Sequence, residues 1–227
     1  MVDSSAVYPG FTFASDIDGP IVNNDFLTRK KPQNFVVSGN QQKLYNLHPA
    51  IKTFLYHGMA LYSKHAIIRP DASPTFHKIK QSDAKIIAIT KRFGGIEQSK
   101  HGDRIRANTE LSLMNKDIPY DDIIFVDTNK ADECLALNVD VIVEDNPDNI
   151  MAISKAGVKV IVYPTKYNDF IEADGEFIFR PDQWFKDYEE SIGLSSWDII
   201  FLIVHDMIQE KKAKYEYDKE KGLYLTK

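Results

Sequence analysis

Cysteine occurs once in this sequence, as Cys134, so no disulfide can form within the chain, and a reducing compartment, the cytoplasm, is the expected setting. Long apolar runs are missing too. The strongest, Trp197 to Ile208, is broken by Asp198, His205 and Asp206 and falls short of the roughly 20 residues that a membrane helix needs. The opening residues MVDSSAVYPG lack a basic segment followed by an apolar core, so no secretory leader is expected. Positive charge is not in excess. The formal net charge of −5 provides no general basic surface and argues against general nucleic-acid binding. The pair Gly94-Gly95 is not followed by Gly-Lys-Ser/Thr, so it is expected to be a turn and not a phosphate loop. Together these absences describe a soluble protein with no membrane partner.

A chain of 227 residues has room for one core domain with a modest insert. Short β-branched or apolar runs recur along it, each leading into polar residues. Phe11 to Ala14 precede Asp16, Asp18 and Gly19, and Ile86-Ile87-Ala88-Ile89 precede Thr90. Ile123-Ile124-Phe125-Val126 lead to a loop that opens a helix at Lys130, and Val139 to Val143 end at Glu144 and Asp145. Such runs, separated by helix-like stretches, are the pattern of buried parallel strands in an α/β fold. Val158 to Val162 and Phe177 to Phe179 predict two more strands. Helices are expected over 75–81, 101–115, 147–156 and 181–192, the third with Pro147 in its first turn and Gly157 just past its end.

Residues 21–70 break this alternation and form an expected insert, which leaves 1–20 and 71–192 as the core domain. Within the insert, Ile51, Phe54, Leu55, Gly58, Met59 and Tyr62 fall on one stripe and predict an amphipathic helix that either packs on the core or forms a lid. Tyr45, Phe54, Tyr56 and Tyr62 either pack as core or stack on a base. Residues 193–227 are a C-terminal extension. In it Ser195 and Asp198 have capping-box-like spacing ahead of Ile200, Phe201, Val204 and Ile208. Its broad apolar face leaves two roles open, closure of the core or a homodimer contact, and the charged run KKAKYEYDKEKGLYLTK is expected to be mobile.

In parallel sheets ligands bind outside the carboxyl ends of the strands, so the four polar motifs are expected to converge on one crevice. Two aspartates one residue apart can take two roles if their surroundings push their pKa values apart. A carboxylate nucleophile can accept a phosphoryl group while a neighbouring acid protonates the leaving oxygen and later deprotonates water. Phosphate approaching carboxylates requires a hard divalent ion, and Mg2+ accepts carboxylate, carbonyl, water and phosphate oxygens. Asp145, with Glu144 beside it, supplies a distant acid for such an ion. Thr90 can bond a phosphate oxygen and Lys130 can neutralise charge on it.

Taken together, DIDG, IAIT, Lys130 and IVEDNPDN resemble the four motifs of the haloacid dehalogenase superfamily. More closely, ITKR, IPYDDIIFVDTNKADE, VDVIVEDNPDNI and GVKVIVYPTKYN resemble bacterial relatives of the 5'(3')-deoxyribonucleotidases. The resemblance covers roughly Phe11 to Ile192. It implies a Rossmann-like three-layer sandwich around a parallel sheet, with a small helical cap inserted after the first motif. It implies Asp16 as nucleophile and metal ligand, Asp18 as general acid/base and metal ligand through its backbone carbonyl, and Asp145 as the remaining metal ligand, with Gly19 and Glu144 in support. Thr90 and Lys130, with Lys91 and Arg92, are implied as phosphate-binding residues.

The implied activity is Mg2+-dependent hydrolysis of a small phosphomonoester, such as a nucleoside 5'-monophosphate, through an aspartyl-phosphate. Two positions depart from the family pattern, Pro20 where threonine is frequent and Lys91 where alanine is common. Three alternatives use the same residues. A response-regulator-like receiver is opposed by motif order, because Glu144 and Asp145 come last. A catalytically idle regulatory protein on the same scaffold retains every one of these residues. A polynucleotide end phosphatase is opposed by the acidic balance.

Overall fold

A computed structural model describes residues 10–24, 47–92, 95–127, 129–184 and 193–221. Its centre is a six-stranded sheet formed by β1 (Phe11–Ser15), β2 (Ala84–Thr90), β3 (Asp122–Phe125), β4 (Val141–Glu144), β5 (Lys159–Val162) and β6 (Ile178–Phe179). The order is β3-β2-β1-β4-β5-β6 and every pairing is parallel. The described helices are α1 (Pro49–Lys64), α2 (Ala72–Gln81), α3 (Lys100–Asn115), α4 (Lys130–Ala136), α5 (Pro147–Lys155), the short α6 (Pro181–Trp184) and α7 (Ser196–Lys221).

The central strands are mainly apolar because both of their faces are covered, while β3 at the sheet edge is only partly buried. Period-2 alternation sends Phe13, Ile86, Val141, Val143 and Ile161 into one layer with Phe76 and Ile79 of α2 and the start of α7. Ala14, Ile87, Ile89, Ile142, Val160 and Val162 point into the other, with Ala131 and Cys134 of α4 and Ile150 and Ile153 of α5. The result is the three-layer α/β arrangement expected from the sequence. The end of α5 is also as expected, with Gly157 at φ +84°, a left-handed conformation that glycine adopts without steric cost.

The C-terminal extension closes the core. Trp197, Ile200, Ile203, Val204 and Ile208 of α7 are buried against α2 and β1. The Trp197 ring meets Phe76 at 5.1 Å and Tyr163 at 5.9 Å between centroids, and its Nε1 donates to the Pro20 carbonyl at 3.0 Å. Pro20, unusual in the first motif, thus contributes an anchor for the extension. The Ser195–Asp198 capping box is formed, with Asp198 N donating to Ser195 Oγ at 3.1 Å and Ser195 N donating to Asp198 Oδ2 at 3.1 Å.

Two expectations need correction. The charged tail from Lys211 is expected to be mobile, yet α7 continues through it to Lys221, and residues 222–227 lie outside the described residues. Lys, Glu and Ala are strong helix formers, and Lys211 bonds both oxygens of Asp140 at 2.7 Å. Within the insert, the fully buried face of α1 is Tyr56, Ala60 and Ser63; of the predicted stripe, Leu55, Met59 and Tyr62 are partly buried and pack inward, while Gly58 is exposed and Ile51 and Phe54 are 50% and 76% exposed. Small Ala60 and Ser63 let α1 approach α3 closely, and Asn108 of α3 donates to the Ala60 carbonyl at 2.8 Å. The rest of the insert between Asn24 and Leu47, including Tyr45, lies outside the described residues. So does the predicted 181–192 helix beyond Trp184. Among the described residues, no helix is long and apolar enough to cross a membrane.

Trp197→Ala is expected to cost about 3–5 kcal/mol, the range for deleting a large buried aromatic. Urea unfolding followed by circular dichroism measures this loss, and a change under 1 kcal/mol would show that α7 is dispensable to the core.

Candidate active site

The strand order changes direction between β1 and β4. From β1 the chain builds outward through β2 and β3, then crosses to β4, β5 and β6 on the other side. At such a switch point the loops leaving two adjacent strands part and open a crevice. Asp16 follows β1 and Glu144 ends β4, so both enter it. Asp16 N donates to the Val143 carbonyl at 2.8 Å, which carries the sheet ladder one residue further and holds Asp16 against the end of β4.

Lys130 lies between these acids, its Nζ 2.9 Å from Asp16 Oδ1 and 2.6 Å from Glu144 Oε2. It is the first residue of α4, whose N-cap Asn129 accepts from Ala131 N at 3.1 Å. A cation there is opposed by the helix dipole, and full burial opposes it further. Burial would lower the Lys130 pKa, but the charges of Asp16 and Glu144 outweigh it and raise the pKa, so the ammonium persists. Glu144 is fully engaged. Its Oε1 accepts from the N–H groups of Asp145 at 3.1 Å and Asn146 at 2.9 Å, and its Oε2 accepts from Lys130 and from Asn149 Nδ2 at 3.2 Å.

Carboxylate oxygens of Asp16, Glu144 and Asp145 lie within 4.8 Å of one another, all three residues being buried. Burial pushes Asp16 up to about 7, with Lys130 opposing the shift and Glu144 and Asp18 adding to it. Burial, then the charges of Glu144 and Asp16, push Asp145 well above the usual carboxylate range. Three buried acidic groups share one ammonium, so ionising all of them leaves charge that a cation would balance. A hard divalent cation with oxygen ligands fits that donor set.

Asp18 has a different environment. Arg92 holds it with a fork, Nε to Oδ2 at 2.9 Å and a terminal nitrogen to Oδ1 at 2.8 Å. Tyr62 of α1 donates to Oδ1 at 3.0 Å and Thr90 approaches Oδ2 at 3.5 Å. Burial alone would raise the Asp18 carboxyl, but the charge and hydrogen bonds of Arg92, with the Tyr62 bond, hold it below its ordinary value. Immediately after Asp18, Gly19 sits at φ +111°, and a Cβ there would collide with the Asp145 carboxylate. The glycine is required both by its conformation and by this close approach.

The structure therefore brings Asp16, Asp18, Gly19, Thr90, Arg92, Lys130, Glu144 and Asp145 to one rim. Arg92, implied as a phosphate ligand, is buried and bonds Asp18 and Thr109 Oγ1. Lys91 is half-buried and donates to Asn149 Oδ1 at 3.1 Å. Of the aromatic residues in the insert, Tyr56 is buried and stacks on His101 at 5.2 Å, whereas Tyr62 reaches Asp18. Sequence reasoning missed Asn149, Tyr167 and Asn168. Tyr167 donates to Asp145 Oδ2, and Asn168 Nδ2 donates to the Asp145 carbonyl at 2.8 Å. For Tyr167 and Asn168 the signal was YPTKYN immediately past a strand end, on the rim where ligands bind; Asn149 closes the motif IVEDNPDN.

No family model matches the chain. Over 102 residues it is 44% identical to a nucleotidase of Clostridium acetobutylicum, a match to 44% of this chain and 45% of that protein. The match thus spans less than half of the relative's length. Among solved structures, a D,D-heptose bisphosphate phosphatase from B. bronchiseptica, complexed with magnesium and phosphate, is 14% identical at a TM-score of 0.40, covering 67% of this chain and 79% of that one. A dehalogenase in an intermediate complex is 13% identical at 0.43, covering 77% and 93%. The name of this relative agrees with the nucleotidase resemblance carried by the motifs; the solved structures, at these TM-scores, add nothing to it.

Gly19→Ala is expected to lose about 1–3 kcal/mol through backbone conformation alone and to drive Asp145 out of place. Thermal unfolding with and without Mg2+ checks this. The wild type should gain stability from the ion and the variant should not; equal gains would show that the close approach is immaterial.

Proposed function

We propose that the chain is a Mg2+-dependent phosphomonoester hydrolase that works through an aspartyl-phosphate on Asp16. The observation that carries the proposal is the Asp16–Lys130–Glu144 contact beside Asp145, at the carboxyl ends of β1 and β4. Asp16 Oδ1 accepts from Ile17 N at 2.8 Å and from Lys130, so Oδ2 is the oxygen assigned to attack. It forms a bond to phosphorus as the ester P–O bond breaks, and the leaving oxygen takes a proton from Asp18. Water then attacks the phosphorus, giving its proton to Asp18; the Asp16–phosphorus bond breaks, and inorganic phosphate leaves with the Asp16 carboxylate restored.

Asp16, Asp145 and the Asp18 carbonyl would hold the ion, which supplies positive charge that keeps Asp16 ionised and offsets the charge of the phosphate. Lys130 and Thr90 are assigned to the phosphate oxygens, with Lys91 at the edge of the same crevice. Arg92 acts on Asp18. By favouring its ionised form, Arg92 readies it to take the water proton in the second step and opposes the acid form needed in the first. Esters whose leaving group needs protonation should therefore depend most on Asp18.

A nucleoside 5'-monophosphate is the proposed substrate class, supported by the name of the 44%-identical relative. The test is phosphate release from p-nitrophenyl phosphate and from nucleoside, deoxynucleoside and sugar monophosphates, with Mg2+ and with chelator. Turnover should require the ion and should be abolished in Asp16→Asn, which keeps the side-chain shape but cannot attack phosphorus; full activity in that variant excludes Asp16 as nucleophile. Asp18→Asn should slow alkyl esters by about 10²–10⁴-fold and activated aryl esters far less. Equal losses on the two would remove the acid role.

A further inference from the structure

The connection between β5 and β6 is built around one carboxylate, that of Asp145. Asn168, fully buried, donates from Nδ2 to the carbonyls of Asp145 at 2.8 Å and Tyr163 at 2.9 Å, and its Oδ1 accepts from Thr165 N at 2.9 Å. Its own carbonyl accepts from Arg180 at 2.6 Å, and the same guanidinium nitrogen bonds the Ile171 carbonyl at 2.9 Å. Asp182 in turn holds Arg180 with two hydrogen bonds, at 2.9 and 2.8 Å. Buried polar side chains are costly unless their bonds are made, and here they are made in series, from Asp182 through Arg180 and Asn168 to the backbone of Asp145. Tyr167 stands one residue before Asn168 and is fixed by the same chain of bonds. Its ring is buried and its hydroxyl donates to Asp145 Oδ2.

The same carboxylate lies against Gly19, where no Cβ intervenes and Oδ2, the oxygen bonded by Tyr167, is the nearest atom. The carboxylate is therefore gripped twice, by a hydroxyl at one oxygen and by backbone at its flank, and its carbonyl is tied down by Asn168. An acid that must present an oxygen to a cation needs its orientation set beforehand, and donors behind a ligand serve that purpose.

We infer that Tyr167, locked by Asn168 and Arg180, is a positioning residue that sets the Asp145 carboxylate for divalent-cation binding. This inference rests on the metal-dependent reading of the site proposed above. Tyr167→Phe removes only the hydroxyl and leaves the buried ring. Mg2+ titrated into the substrate-free protein, followed by calorimetry, should bind about 10-fold more weakly to the variant, the lower end of what loss of such a partner costs. The Mg2+ concentration that half-activates p-nitrophenyl phosphate hydrolysis should rise by the same factor, with kcat at saturating Mg2+ within about 3-fold of wild type on the same scale. A purely structural role for the hydroxyl would instead lower kcat at every Mg2+ concentration and leave the affinity of the folded fraction unchanged.

Asn168→Asp, which replaces the buried donor while retaining size, provides a second variant and should weaken Mg2+ binding in the same direction. Unaltered affinity in both variants, against clear binding by wild type, overturns the inference and leaves the phosphatase reading standing. No Mg2+ binding by the wild type overturns both.

Discussion

Everything in the crevice depends on one buried ammonium. Lys130 is 1% exposed and stands where the helix dipole is least hospitable to it, held by Asp16 on the β1 side and Glu144 on the β4 side. Each of the three groups would be expensive to bury alone. Together they form a contact that spans the switch point of the sheet, so the site is also a clasp between its two halves. Removing Lys130 would leave two buried carboxylates without their shared cation, so stability and chemistry are coupled at that residue.

The same sheet edge gives two aspartates, one residue apart, opposite electrostatic surroundings. Asp16 faces other carboxylates and a single lysine, and burial pushes it up to about 7. Asp18 turns toward Arg92 and Tyr62 and is held below its ordinary value. Divergence of neighbouring acids is how one short motif can supply two chemical roles. It arises from the partners each meets, Lys130 and Glu144 beside Asp16 and Arg92 with Tyr62 beside Asp18.

The strands and most helices were legible because a sheet covered on both faces must be written as short apolar runs, and these leave a clear signal. The rim motifs were legible because each follows such a run directly. What could not be read is instructive. Of the stripe Ile51, Phe54, Leu55, Gly58, Met59 and Tyr62, only Leu55, Met59 and Tyr62 pack inward, and the fully buried face is Tyr56, Ala60 and Ser63, since close helix approach favours small side chains that periodicity counts as weak. The tail from Lys211 looked mobile because its composition is polar, but a helix already anchored by Trp197 propagates through good helix formers at little cost. Arg92 could not be assigned from sequence between phosphate and Asp18, because that depends on a distance across the crevice. Tyr167 and Asn168 were invisible as partners of Asp145 because 22 or more residues separate them from it.

The hydrogen bond from Trp197 to the Pro20 carbonyl joins positions 177 apart in sequence. Pro20 belongs to the turn that carries Asp16 and Asp18, so the first motif made during synthesis receives its last support from a helix made near the end. Contacts this distant in sequence form late and slow folding. A nascent chain that has already produced all four motifs still lacks the wall behind the first of them. The apolar faces of β1 and α2 that Trp197 covers remain open to other chains until α7 emerges, and this interval is when the protein is most exposed to aggregation.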